Sequence, residues 1–201
     1  MNVRHVAILT ISAGLSATAI RAQQVDLFLG VGTARAGSNG QSIDTFGDGT
    51  LYNTPALKGV FTDLGGAVFL NNQLGVGFTG SWRAAKDYAG LFYRPSFYVF
   101  DGVFQPGRLA DRRLVPDLRA GIGLASISFD YDDPNACAQV PGCPSTHHLV
   151  GHGGVGVRLY VFRHFFLRPA VDVLYVRNFF PFGSNWVPKY SMGFGYSFGK
   201  E

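Results

Sequence analysis

Between residue 24 and Phe198 the chain alternates apolar side chains with small or charged ones, and no other feature restricts its fold as much. Strand side chains point to opposite faces with a period of two, so each such segment has one greasy face and one bare face. The last segment shows this best. Tyr190, Met192, Phe194, Tyr196 and Phe198 share one parity, with Ser191, Gly193, Gly195 and Ser197 on the other. A soluble barrel packs its apolar face inward and covers its exterior with charge. Here the second face is built from Gly, Ser and Ala with scattered Asp and Arg, too narrow for a solvated exterior. The alternation predicts an all-β fold, an eight-stranded antiparallel up-and-down transmembrane β-barrel with its apolar side in lipid.

Composition agrees. Charged residues make up 15% of the 201, below the roughly 25% typical of soluble domains. Hydrophobic residues make up 47%, yet no uncharged apolar run reaches the ~20 residues of a membrane-spanning helix. Residues 1–22 read as an export leader, with Arg4 and His5 before the apolar stretch Val6–Ile20. Cleavage is expected after Ala22, with Ala19 as the alternative, leaving 23–201 as the barrel domain. No Cys lies near the cut, which disfavours a lipoprotein anchor. Removing Arg4 and Arg21 leaves 15 basic residues against 13 acidic ones, and no basic stripe marks a nucleic-acid partner. Cys137 and Cys143 are expected to pair as one disulfide closing a short loop in the oxidising exterior.

Eight strands are predicted at 24–36, 57–70, 74–84, 90–104, 114–131, 148–162, 165–179 and 187–198. Both parities of 90–104 carry aromatics, and the phase of 114–131 slips at Ser126, which implies a bulge there or the end of the membrane. Pro95 and Pro169 fall within strands, where bulges are expected because a closed barrel has no edge to excuse a missing donor. The segments 37–56, 85–89, 132–147 and 180–186 are read as longer loops, and 71–73, 105–113 and 163–164 as mostly shorter turns. An even strand number places both termini on the turn side, facing the periplasm.

This layout, the aromatic-ended last strand and the hairpin LYVFRHFFLRPAVDVLYV resemble the small eight-stranded outer-membrane β-barrel proteins of the OmpA/OmpX-like class over roughly 23–198. The resemblance implies residence in a Gram-negative-type outer membrane, contact with its lipid and lipopolysaccharide, and insertion by the barrel-assembly machinery. It also implies that Tyr196 and Phe198 form the C-terminal insertion signal, although Gly199-Lys200-Glu201 follow. Nothing of domain size follows Phe198, so no peptidoglycan-binding domain is expected. A monomer is expected.

An eight-stranded barrel is only wide enough for its own side chains to fill the lumen. The inward parity holds Asp26, Asp63, Asp117 and Asp172 with Arg83, Arg119, Arg158 and Arg168. Opposite charges at such close quarters should pair, giving a salt-bridged and largely closed interior. The expected role is structural, or presentation of loops 37–56 and 132–147 outside the cell, without catalysis, cofactor or metal. The alternative is a narrow porin-like or laterally opening channel for small or apolar solutes.

Weaker readings attach to particular residues. His147, His148 and His152 could gather zinc, but their spacing does not aim them at one point, and they read better as interfacial or loop residues. A lipid-modifying enzyme would need His152 beside Ser126 or Ser128, with no nucleophile motif in support. Gly151, Gly153, Gly154 and Gly156 lack the following helix that a nucleotide loop requires. Trp82, Tyr93, Phe165, Phe166, Phe179, Tyr196 and Phe198 are candidates for the interfacial girdles. A soluble lipocalin-like carrier is the fold-level rival; it needs the Leu/Val/Phe parity to line a pocket.

Overall fold

A computed structural model of the chain describes residues 24–35, 42–44, 49–53, 57–88, 91–107, 109, 113–130, 145–177 and 184–199. The leader, Cys137, Cys143 and Phe179 lie outside the described residues. The strands in chain order are β1 (Gln24–Ala34), β2 (Ser42–Ile43), β3 (Tyr52–Asn53), β4 (Val60–Phe69), β5 (Leu74–Arg83), β6 (Lys86–Tyr88), β7 (Leu91–Phe104), β8 (Leu114–Asp130), β9 (Ser145–Tyr160), β10 (Phe165–Val176) and β11 (Trp186–Gly199). All pairings are antiparallel, and no helix occurs among the described residues. The eight long strands form a closed ring, because β1 pairs with β4 on one side and with β11 on the other, while β5 pairs with β7.

Closure leaves no free edge, and the two parities decide which face meets what. Leu29 (59% exposed), Ile122 (67%) and Phe194 (53%) stand on the outer surface, as do the other Leu, Val and Phe of their parity. That arrangement excludes the lipocalin-like rival, whose apolar rows would be inside. Outer aromatics gather near both ends. Phe165, Tyr196 and Phe198 meet edge to face at the turn end, with Phe165–Tyr196 centroids 4.8 Å apart and Tyr196–Phe198 4.6 Å apart. Trp82 donates its indole N–H to the Tyr98 hydroxyl at 2.9 Å toward the loop end. Tyr93 and Phe166, expected in the girdles, are instead fully buried inside the barrel.

Three expectations about register need correcting. Of the two readings of the phase slip at Ser126, the bulge is excluded and the end of the apolar band remains, since β8 keeps unbroken register with β7 (Ser126↔Ser96) and with β9 (Ser126↔His147). What changes is the polarity of the wall. Below this level Ile122 and Leu124 face out; above it Ala125 and Ile127 point inward with Phe97, Val150 and Val176 to form an apolar core. The aromatic ambiguity of 90–104 has the same origin, with Tyr93 and Phe97 inside and Phe100 and Phe104 outside.

At Pro95 the bulge falls on the facing strand. Trp82 pairs with Ser96 but Lys86 pairs with Tyr93, so one extra residue is accommodated around Ala84–Ala85. Within the segment 85–89, read as a loop, Lys86–Tyr88 therefore pair with β7 as a strand. At Pro169 there is no extra residue. The β9–β10 pairing steps from Leu167↔Leu159 to Ala170↔Gly156, leaving Arg168 and Pro169 without ladder partners on β9, although both keep theirs on β11.

Small residues make room inside for aromatic rings. A Cβ on Gly65 would meet the Phe28 ring at 2.5–2.7 Å, and one on Gly195 would meet the Phe166 ring and lie 2.6 Å from the Leu27 carbonyl oxygen. Gly153, on the outer face, has open space instead. Gly65→Ala and Gly195→Ala are each expected to destabilise the folded barrel by about 1–3 kcal/mol. Gly153→Ala should stay within about 0.5 kcal/mol of wild type. Urea titrations of vesicle-inserted protein, scored by heat-modifiable gel migration, read the difference.

Candidate functional site

The lumen is where charge concentrates. Asp26, Asp63, Asp101, Asp117 and Asp172 are all buried, as are Arg119, Arg158, Arg168 and Lys189. Each reaches the interior by strand parity alone, so the wall delivers them from seven strands without any loop. An isolated ion in such a place would cost several kcal/mol, and pairing offsets that cost only where geometry is close.

Asp117 on β8 is the hub. Its Oδ1 receives Arg168 Nη2 at 3.0 Å and its Oδ2 receives Arg168 Nε at 3.2 Å, while Arg119 Nε lies 3.0 Å from Oδ1 as an ion pair without hydrogen-bond geometry. Arg158 Nε lies 3.6 Å from the same Oδ2. The Arg158 Nη1 group also meets Asp26 across the barrel, joining β9 to β1. Gln24 Nε2 donates to Asp26 at 2.8 Å and closes this end of the chain of contacts. In the other direction Arg119 Nη2 lies 3.1 Å from Asp172 Oδ1. His152 sits between two carboxylates, with Nε2 3.0 Å from Asp172 and Nδ1 2.5 Å from Asp101. A separate group joins β11, β4 and β5: Lys189 Nζ donates to Asp63 Oδ1 and Ser81 Oγ, both at 2.6 Å.

Aromatic rings fill the space around these ions. Arg168 lies over Phe28 with its guanidinium carbon 4.6 Å from the ring centroid, and Arg158 lies over Phe69 at 5.0 Å. Two small cavities flank Arg119, of about 10 and 20 Å³. Each is water-sized. Toward the loops the lumen is stoppered by Phe61, Tyr93, Phe97, Leu57 and their apolar neighbours.

Of the residues picked from sequence, Asp26, Asp117, Arg119, Arg158, Arg168 and Asp172 come together in one network, and Asp63 joins Lys189 instead. Arg83 stands apart at the loop end, over the Tyr93 ring at 4.3 Å and donating Nη1 to the Lys58 carbonyl at 3.1 Å. Sequence reasoning missed Asp101, because its strand had no readable parity. It also missed Lys189, although Lys189 shares the parity of Ser191 and Gly193. By sequence His152 groups with His147 and His148 as interfacial or loop residues. In fact His147 is exposed, His148 places Nδ1 3.2 Å from the Arg177 carbonyl oxygen, and only His152 turns into the ion network. Ser126 and Ser128 share the outward parity of β8, and His152 pairs with Gly121, so no Ser–His arrangement forms. No metal-binding cluster is found among the described residues.

No protein-family model matches the chain, and no curated protein matches its sequence. Solved structures do. Ail, the attachment invasion locus protein of Yersinia pestis, in complex with the heparin analogue sucrose octasulfate, superposes with a TM-score of 0.55 at 15% identity, over 87% of this chain and 98% of its own. The N-terminal β-barrel domain of Pseudomonas aeruginosa OprF gives 0.55 at 13%, over 88% and 98%. Neisserial surface protein A gives 0.60 at 13%, over 87% and 97%. The likeness is one of fold, that of small eight-stranded outer-membrane β-barrels.

The Lys189–Asp63 pair allows a clean test of how the ions are held. Lys189→Met alone strands a buried carboxylate and should cost about 3–5 kcal/mol. The double variant Asp63→Leu/Lys189→Met removes both charges and should recover most of that loss. Urea unfolding of the four proteins of this cycle gives the comparison directly.

Proposed function

We propose that the protein is an integral outer-membrane β-barrel with a closed lumen, serving as a structural wall element and as a platform that presents its loops outside the cell. One observation carries this reading: among the described residues, from the Gln24–Asp26 contact to the Phe61–Tyr93 stopper, paired ions and apolar side chains occupy the interior around two cavities of about 10 and 20 Å³. Such a lumen suits neither solute passage nor catalysis. The exposed Leu, Val and Phe rows support placement in lipid, with lipopolysaccharide at the outer surface. Residues 1–22 would direct export and be removed. Tyr196 and Phe198, facing outward on the last strand, would be read by the assembly machinery. The names of two similar structures, an attachment protein and a surface protein, are in keeping with a surface role. The barrel acts as a monomer in this reading.

Planar-bilayer recording tests the closed lumen. Wild-type protein, inserted as judged by heat-modifiable migration, is expected to give no sustained openings. Arg119→Ala/His152→Ala/Arg168→Ala, which empties the space around the two cavities, should introduce them. Sustained wild-type openings would favour the narrow channel instead.

A further inference from the structure

The outer wall carries a groove of about 280 Å³ lined by Val155, Gly156, Val157, Pro169, Ala170, Val171, Tyr190 and Ser191, across β9, β10 and β11. Val155, Val171 and Tyr190 form one outward row above it, since Val171 pairs with both Val155 and Tyr190. The floor is shallow backbone, because Gly156 has no side chain and Ala170 turns only a methyl group inward.

This groove lies where the ladder lapses, and the lapse exposes one polar atom. The amide of Tyr160 donates to Arg113, the residue that extends β8, while the amide of Arg177 donates to Leu149 on β9. Backbone groups alternate sides along a strand, so Val157, on the parity of Leu149, directs its N–H and C=O toward β10. The register on either side sets Pro169 opposite Val157. Proline has no N–H. The Val157 carbonyl therefore lacks its ladder donor, and among the described residues no side chain supplies one. Water is absent from hydrocarbon, so an orphan acceptor on a lipid-facing wall is costly.

We propose that this groove binds a hydroxylated acyl chain, the hydrocarbon lying along Val155, Val171 and Tyr190 and the hydroxyl donating to the Val157 carbonyl. A plain acyl chain fills the groove but leaves the acceptor bare; a headgroup donor sits at the membrane surface, whereas this acceptor lies within the apolar wall. The inference rests on the bilayer placement proposed above.

The test compares 12-hydroxystearate, whose hydroxyl lies mid-chain, with stearate, titrated against full-length protein in phosphatidylcholine vesicles, with insertion verified first. The hydroxylated acid should bind roughly fivefold to tenfold more tightly, the worth of one hydrogen bond. Pro169→Ala restores an N–H opposite Val157 and should erase that preference while keeping the barrel folded. A Val157 carbonyl ¹³C shift that moves only with the hydroxylated acid would place the bond at this atom. Equal affinities in wild type, or a preference that survives Pro169→Ala, overturn the proposal alone. Failure to insert at all overturns the bilayer placement along with it.

Discussion

Hydrocarbon offers a peptide group no hydrogen-bond partner, and the pairing of β1 with β11 is the interaction on which everything else here depends. It runs in register from Gln24↔Gly199 to Ala34↔Lys189 and turns a sheet with two raw edges into a ring with none. Once the ring is closed, parity becomes location. Apolar rows are committed to the outside, and every Asp, Arg or Lys on the other parity is committed to a space barely wider than the side chains themselves.

The interior solves this confinement by sharing. Asp117 serves Arg119, Arg158 and Arg168 together, and Asp172 serves both Arg119 and His152. Ions on strands that do not pair with each other are thereby tied, β1 to β9 through Asp26–Arg158 and β4 to β11, the two neighbours of β1, through Asp63–Lys189. Such ties hold the cross-section of the barrel in a way that ladder bonds, running around the circumference, do not. Aromatic faces at Phe28, Phe69 and Phe166 complete the packing around the guanidinium groups.

Much of this was legible in the sequence, because a closed strand wall translates parity into burial with few exceptions. All eight strands fell within a few residues of their positions, and six of the eight selected lumen charges meet in one network. The misreadings share a cause. Asp101, Tyr93 and the Ser126 phase change lie on strands that outrun the apolar band, where the inside turns from polar to apolar and the pattern reverses without any change of register. His152 looked like a loop residue because two other histidines precede it closely; only the pairing with Gly121 fixes it in the lumen. At Pro169 the sequence announced an anomaly without its form. A bulge and a lapsed rung have the same signature until the partners on both sides are known.

The loop-side end of β7, β8 and β9 is cored like a small soluble domain, by Phe97, Ala125, Ile127 and Val150. The loops thus stand on a pedestal with its own source of cohesion, independent of the ion network below. Substitutions in this apolar core and in the ion network are therefore felt separately, because the two share no charged partner.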